Sequence, residues 1–564
     1  MSQRFPIPLV IAAIGLLVLP PVLLALGLTM TSATEMVVFA LACMALNILV
    51  GHTGLVSFGH GAWFGLAADA AALIQRNWMP GSFFGPMLGG VLVVALLAAP
   101  FGYLFLRRRG VYFALLTLAL AAMLYVVSFR WTDLTGGENG LGGITRPVIL
   151  GFDLDSSTSY YWFVAMIAFA MLVLLWRFHN STVGTVLVAI RENDQRARFL
   201  GYPVARYKLA AFVLSAALTG LAGILLLYKN RMTSADPISV QFSGELLAMV
   251  VIGGMRSFLG PAIGALFYVL FREFLSIYTE NWLFWLGLIF VGFVVFSPTG
   301  LVGVGERLLA PFRKKVVEDA AMAARKVEAL PLPEFLRPAS HVAGPVLAAR
   351  QIVKSFGGIK AVQGVDISIA DRTLHALIGP NGAGKTTAFN LLSGMYPPDD
   401  GAVTLLGESI AGHTPEAIAA AGIGRSFQIT NLFPTLSVGE NIRLAVQGRH
   451  PSRFNPFTPA LSIEAINRET DAIIRYLGLA GIERAEAGAL SYGGQRLLDM
   501  GVALATAPRI LLLDEPLAGL AAAERERIGA IIKRISADVP VLLVEHDIDR
   551  VFQLADHVTV MNEG

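Results

Sequence analysis

The first three hundred residues are a succession of long apolar runs, and nothing else in the chain constrains its fold as strongly. The runs lie near 7–29, 33–50, 60–76, 84–106, 111–129, 160–178, 208–230, 238–255, 259–279 and 281–298. A helix needs about 20 apolar residues to cross roughly 30 Å of hydrocarbon. Several runs are short or interrupted by glycine, so the pattern predicts 8–10 crossings. The first run is too long for a cleaved signal peptide and lacks a small-residue exit, so it reads as a span. Composition changes beyond this region. Residues 1–310 hold 18 Lys/Arg and 13 Asp/Glu, whereas 311–564 hold 25 and 27. The second part therefore has the charge content of an ordinary soluble domain, about 25% or slightly less. The expected organisation is a polytopic α-helical membrane domain over 1–305, a charged Pro/Ala-rich linker over 306–345 and a soluble α/β domain over 346–564.

Other classes are excluded early. The hydrophobic share of 55% is incompatible with disorder. A net charge of +3 gives no global basic excess for nucleic acid. The single cysteine, Cys43, permits neither a disulfide framework nor a cysteine-based zinc site.

Basic clusters orient the membrane domain. Arg107–Arg109, then Arg177 with the stretch 191–208, then Arg307, Arg313, Lys314 and Lys315 all fall in connections. With these in the cytoplasm, 130–159 is external and the soluble domain is intracellular. Two glycine-rich stretches interrupt the spans, 51–61 and 135–143. The first is read either as close helix packing or as a break exposing backbone to a solute. The second reads as an external turn. Asp69 and Glu245 lie in or beside apolar runs, where a carboxylate is a functional candidate. His52 and His60 read as packing or interfacial groups, since no third ligand accompanies them. Segment 184–207 is polar and amphipathic, with Gly184 before it and Gly201 as a helix C-cap. It is placed to dock on a soluble domain or to lie in the interface. In the linker, a helix is predicted over roughly 315–329, stopped by Pro331, Pro333 and Pro338.

The soluble part carries the chemistry. Apolar run 374–378 leads into Gly379, Pro380, Asn381, Gly382, Ala383, Gly384, Lys385 and Thr386, a G-x-x-x-x-G-K-T loop with a helix predicted from Thr387. Such a loop wraps backbone N–H groups around a phosphate chain, with the lysine on its outer phosphates and the hydroxyl on Mg²⁺. Run 510–513 ends in Asp514 and Glu515, predicting a metal-holding carboxylate and a general base at a strand terminus. Run 541–544 ends before His546, which is placed to reach a γ-phosphate.

In this order the motifs resemble an ATP-binding cassette subunit. The resemblance implies ATP and Mg²⁺ as cofactors and two cassettes closing head to tail. It assigns Phe356 to adenine stacking, Gln428 to the glutamine loop and the metal, and Thr387 to the nucleotide. Residues 490–495 match the signature, so Ser491 and Gly493 contact ATP held by the partner cassette. A helical subdomain is implied over about 429–505. Tyr492 stands where the usual signature has its first glycine, Gly494 where it has glutamine, and Ala521 where an aspartate is usual. Relatives usually continue by a short strand and helix past the position of Gly564, so this end reads as shortened.

Strings 47–54, 59–65, 109–118, 135–140, 189–193 and 201–209 are similar to permeases of the branched-chain amino-acid ABC importer family. The resemblance covers most of 35–300 and makes 184–207 the coupling segment. It implies a permease fused to its ATPase in the bacterial cytoplasmic membrane. The expected activity is ATP-driven import of branched-chain or related small amino acids or amides. The implied partners are a second permease, a second cassette and a periplasmic solute-binding protein, in a heteromeric set and without nucleic acid. An exporter-type half-transporter is the alternative; its usual long helices fit the short coupling stretch less well.

Overall fold

The computed structural model describes residues 6–149, 152–297, 299–309, 330–338, 343–428 and 431–564. The linker helix predicted over 315–329, and Arg313, Lys314 and Lys315, lie outside them. The chain forms two compact units. One comprises Met1–Arg191 and Ala205–Lys314; the other comprises Glu192–Val204 and Lys315–Gly564.

Among the described residues of the first unit, seven helices are long and apolar enough to cross a membrane. They are Ile7–Ala25, Met30–Thr53, Phe84–Phe105, Val111–Arg130, Ser157–Asn180, Val204–Asn230 and Gly260–Tyr278. The bent pair Trp282–Phe296 and Gly300–Leu309 makes an eighth if counted as one span. The count thus reaches only the lower end of the 8–10 expected. Runs 60–76 and 238–255 do form helices, His60–Asn77 and Val240–Gly253, but these fall outside that set. The first carries Asp69, Gln75 and Arg76, and the second is only 14 residues long.

Helix Met30–Thr53 is the buried centre of this unit, while Ile7–Ala25 is largely exposed on apolar side chains. Glycine lets the helices touch. A Cβ on Gly59 would lie 2.4 Å from the Thr117 carbonyl oxygen, and one on Gly223 2.0 Å from that of Phe64. This is the small-residue packing used where lipid removes the hydrophobic drive between helices. The stretch 51–61 is therefore close-packed, with Gly54 (φ +71°) ending the helix before it. In 135–143, a one-turn helix and a 3₁₀ turn end at Gly140, and Leu141 pairs with Thr233. His60 bridges the hydroxyls of Ser57 (2.8 Å) and Ser215 (2.9 Å), and His52 meets His179 at 2.8 Å.

One local expectation needs correction. Gly184 does not precede its helix but lies inside Thr182–Glu192. A Cβ there would sit 2.2 Å from the Phe178 carbonyl oxygen, so the glycine serves the tight turn from the preceding helix. A second helix, Asp194–Phe199, follows, capped by Asn193.

The second unit is built on two sheets. Five parallel strands run in the order His557–Val560, Leu374–Ile378, Val541–Val544, Ile510–Asp514, Ile423–Arg425. The middle three are buried at every position, which is why they read as unbroken apolar runs. Val541 pairs with both Leu374 and Leu511, so the three strands end level. An antiparallel sheet orders Ile359–Ala370, Pro345–Phe356, Asp400–Leu405 and Glu408–Ser409. Helices Val438–Arg449, Glu464–Leu477 and Tyr492–Leu504 form the helical part; Ser437 and Glu440 close a capping box on the first.

Candidate nucleotide site

Level strand ends gather the chemistry at one edge of the parallel sheet, where open α/β sheets bind their ligands. The loop after Leu374–Ile378 requires its glycines. Gly384 has φ +89°, and a Cβ there would fall 2.2 Å from the Ala361 carbonyl oxygen. The helix that follows starts at Lys385, two residues earlier than expected, and runs to Leu392. Its N-terminus faces the loop, where backbone N–H groups and the dipole favour an anion. Lys385 is buried and its Nζ donates to the carbonyls of Gly379 (2.7 Å) and Pro380 (2.9 Å). Asn381, Gly382 and Thr386 are exposed, Thr387 is half-buried and Ala383 is buried.

At the end of Ile510–Asp514, Asp514 is 3% exposed and Glu515 takes a left-handed φ of 47°. A non-glycine residue there costs of order 1–3 kcal/mol and marks a functional site more often than chance. The Glu515 side chain is held from both sides. Gln428 Nε2 donates to Oε2 at 3.0 Å, and His546 Nε2 lies 2.7 Å from Oε1. Thus Gln428, Glu515 and His546, distant in sequence, form one row beside Asp514. Burial pushes the Asp514 carboxyl above its usual range, with the Arg425 guanidinium pulling the other way. No described residue donates a hydrogen bond to that carboxylate.

Other expected residues stand apart. Phe356 ends its antiparallel strand with a 45% exposed ring, edge-on to Tyr396 at 5.5 Å. Ser491 caps helix Tyr492–Leu504 by accepting from Gly494 N–H, and a Cβ on Gly493 would strike the Glu524 carboxylate at 2.3 Å. Neither is hydrogen-bonded to Lys385, Glu515 or His546 among the described residues. The signature departure has a local explanation. Tyr492 OH accepts from Arg496 Nη2 at 2.7 Å, and Arg496 Nη1 donates to the Phe427 carbonyl at 2.8 Å. Arg496 therefore ties the signature helix to the residue before Gln428, and Tyr492, one turn earlier on the same helix, holds its guanidinium.

Three buried groups escaped the sequence reading. Arg425 donates to Ser393 Oγ and, at 2.7 Å, to Asn390 Oδ1; burial lowers its guanidinium to about 10. Glu545 accepts from Leu517 N–H (2.9 Å) and His546 N–H (3.2 Å), bracing the turn after Asp514 against the turn carrying His546. Burial raises its carboxyl. Arg196 is the largest miss. It belongs to segment Glu192–Val204, lies between two apolar helices in sequence, and is fully buried in the second unit. It donates to the carbonyls of Arg425 (2.8 Å) and Asp499 (2.9 Å) and pairs with the Asp499 carboxylate at 3.1 Å. Asp499 in turn accepts from Phe427 N–H at 3.2 Å. Burial pulls both partners toward their neutral forms, and each charge opposes that pull on the other. Tyr202 OH adds a bond to the Leu444 carbonyl at 2.7 Å. The segment had been read as docking on a soluble domain, but which of its charges would be buried was not legible, since a charge in a polar stretch reads as solvent-facing.

A phosphate loop, a carboxylate pair on the neighbouring strand and a signature helix define an ABC-type ATPase. Residues 362–518 match the ABC transporter family, and residues 28–297 match the branched-chain amino acid transport system permease component. The cassette is similar to the high-affinity branched-chain amino acid transport ATP-binding protein BraF of Pseudomonas aeruginosa. Identity is 38% over 229 residues, covering 39% of this chain and 89% of that protein. LivG of Escherichia coli K12, of the same description, is 35% identical over 228 residues, with the same coverage of 39% and 89%. A solved nucleotide-free cassette from an ABC transporter is 31% identical with a TM-score of 0.34, covering 39% of this chain and 88% of that one. The chain belongs to the branched-chain amino-acid ABC transporter family, as a permease component joined to an ATP-binding cassette. It is a membrane protein, and its cassette is a nucleotide-binding ATPase on the cytoplasmic side.

Proposed function

We propose that this chain is one permease–ATPase half of a heteromeric importer. It takes up branched-chain or related small amino acids or amides across the bacterial cytoplasmic membrane. A second permease, a second cassette and a periplasmic solute-binding protein complete it. The proposed domain limits are 1–305 for the permease, with the coupling segment about 184–207, then the linker 306–345 and the cassette 346–564, with its helical subdomain about 429–505. The observation that carries the reading is Arg196. A segment that interrupts the membrane helices is anchored, through one buried arginine, to Arg425, to Asp499 of the signature helix and, by way of Asp499, to Phe427 just before Gln428. Nucleotide chemistry at the cassette thereby reaches, through hydrogen bonds, a chain segment that continues into the spans.

In this reading the loop 379–387 cradles the phosphates and Lys385 supplies positive charge to the outer ones. Phe356 stacks on the adenine, with its exposed face available. Glu515 accepts the proton of the attacking water, and His546 orients the terminal phosphate. Ser491 and Gly493 serve ATP bound on the partner cassette. The donor set fits Mg²⁺, which prefers hard oxygens and few carboxylates. Thr386 offers an exposed hydroxyl, and Asp514 a carboxylate that no described residue bonds. Gln428 offers its amide oxygen, because its Nε2 is committed to Glu515. When bound, Mg²⁺ supplies charge neutralisation at the β- and γ-phosphate oxygens.

The test is uptake by the full complex in proteoliposomes, with a panel of labelled amino acids and amides. ATP-dependent accumulation of leucine, isoleucine or valine with the binding protein present is expected. ATP-driven movement of solute away from the cassette side would overturn the import reading.

A further inference from the structure

Carboxylates in the first unit are not treated alike. Glu35 accepts from Lys229 and, at 2.6 Å, from Arg272. Asp69 has no such company. It is 5% exposed on helix His60–Asn77, and its two oxygens accept only hydroxyl protons, from Thr233 (2.7 Å) and Ser128 (3.1 Å). Among the described residues no cation pairs with it. An uncompensated carboxylate in a membrane domain is costly, and such groups mark solute or ion paths.

Asp69 stands directly behind a cavity of about 360 Å³, because Thr233 lines that cavity. The volume is at the small end of ligand pockets. Its wall is mostly apolar, with Phe64, Leu226, Leu227 and Met232, and Asn230 also lines it. Thr233 has spent its hydroxyl proton on Asp69, so toward the cavity that oxygen can only accept. The Asn230 amide has no hydrogen bond among the described residues and is exposed. The loop bearing Thr233 is braced by the second glycine-rich stretch. Thr233 and Leu141 exchange backbone hydrogen bonds of 3.0 and 3.1 Å, and a Cβ on Gly140 would overlap the Thr233 carbonyl oxygen at 1.8 Å.

We propose that this cavity is a solute site of the permease unit, with Asp69 and Thr233 as the counter-charge and acceptor for the α-ammonium of an aliphatic amino acid. The proposal rests on the import reading above and adds where the solute is held. The ammonium donates to Thr233 Oγ1 and neutralises Asp69, the one element the site lacks. The aliphatic side chain lies against Phe64, Leu226, Leu227 and Met232, and the Asn230 amide is placed to donate to the carboxylate. A solute without the amine offers no cation to Asp69, and a site built around a polar partner rejects such analogues strongly.

The experiment uses the full complex without its binding protein and measures equilibrium binding of labelled leucine, with 4-methylpentanoate, its amine-free analogue, as competitor. Wild type is expected to bind leucine and to ignore the analogue. Asp69→Asn should weaken leucine at least about tenfold and erase the discrimination. Thr233→Val should weaken it similarly, and Asp69→Glu should recover part of the affinity. Elution of each purified variant complex at the wild-type size reports that it folds and assembles. Should Asp69→Asn not assemble, Thr233→Val decides. Leucine uptake by wild type with undiminished binding and discrimination in the assembled variants would overturn this site while leaving import standing. No uptake or binding of any amino acid by wild type would remove both.

Discussion

Among the described residues, the fully buried polar groups of the two compact units are satisfied by different means, the Glu35 ion cluster of the membrane unit being only half-buried. In the membrane unit, His60 and Asp69 meet hydroxyls, and backbones approach through glycines such as Gly59 and Gly223. In the cassette unit, Arg196, Arg425 and Arg496 run through the core and fasten loops by charge-assisted bonds. The difference follows from what each unit must do. A cassette has to hold a phosphate loop, a glutamine loop and a signature helix in fixed relation, and guanidinium groups with several donors do so. A solute path gains from a carboxylate left without a protein cation, since a fixed ion pair would fill the place of the solute.

This contrast can be broken at several points. The largest effect is expected at Glu515. Replacing it with Gln should lower ATP hydrolysis at least about 100-fold, while fluorescent-nucleotide binding persists. Sustained phosphate release from that variant would remove Glu515 from the base role.

Next in size, Arg196→Ala leaves Asp499 buried without its partner. A loss of about 3–5 kcal/mol of cassette stability is expected in denaturant unfolding. The double variant Arg196→Leu/Asp499→Leu should recover much of it. Asp69→Asn is the matching change in the membrane unit, and because no cation is orphaned there it should cost less than about 1 kcal/mol. Equal losses would erase the distinction between the units.

Lys385→Ala should weaken ATP binding by about tenfold to a hundredfold, the worth of hydrogen bonds to a charged group. An unchanged dissociation constant would contradict the phosphate-loop role.

A pH profile probes Asp514. Its carboxyl is raised in the fold by burial, so the fold favours the protonated form. The stability this contributes is present at low pH and is lost as pH rises through the raised value. Mg²⁺ demands the ionised form, so affinity for Mg-ATP should fall as pH drops through the same range. Asp514→Asn should flatten that slope in a calorimetric titration.

The smallest effect belongs to Tyr492→Phe. It removes one acceptor of Arg496 and should cost about 1 kcal/mol, with a modest fall in hydrolysis. A drop as deep as that of Glu515→Gln would mean the tyrosine touches nucleotide itself.

Much of the nucleotide site was legible because it follows local rules. A G-x-x-x-x-G-K-T loop needs its glycines for backbone reasons, and fully buried strands announce themselves as apolar runs such as 510–513. Carboxylates at the ends of such runs must face out of the sheet edge. Arg196, Asp499 and Arg425 were not legible. Each is a charged residue in a polar stretch, and neighbours in sequence do not reveal which charge goes inside. The left-handed Glu515 also left no trace, since its φ is imposed by the turn rather than by residue type. The span count among the described residues sits at the low end of the expectation for a related reason. Runs 60–76 and 238–255 have apolar content, but helix His60–Asn77 carries Asp69 inward and Val240–Gly253 stops at 14 residues.

By itself, then, the sequence determined the division into a lipid-facing and a water-facing part, the helical spans, and the strand-loop-helix grammar of a phosphate site. These depend on periodicity, length and glycine, which are properties of neighbours along the chain. Only the tertiary structure decided which charge of the docking stretch, Arg196, is buried in the cassette core, and that Gln428, Glu515 and His546 stand in one row. It also decided that Asp69 backs a cavity without a cation. Those outcomes depend on which distant groups exclude water from one another, and burial is a property of the packed whole.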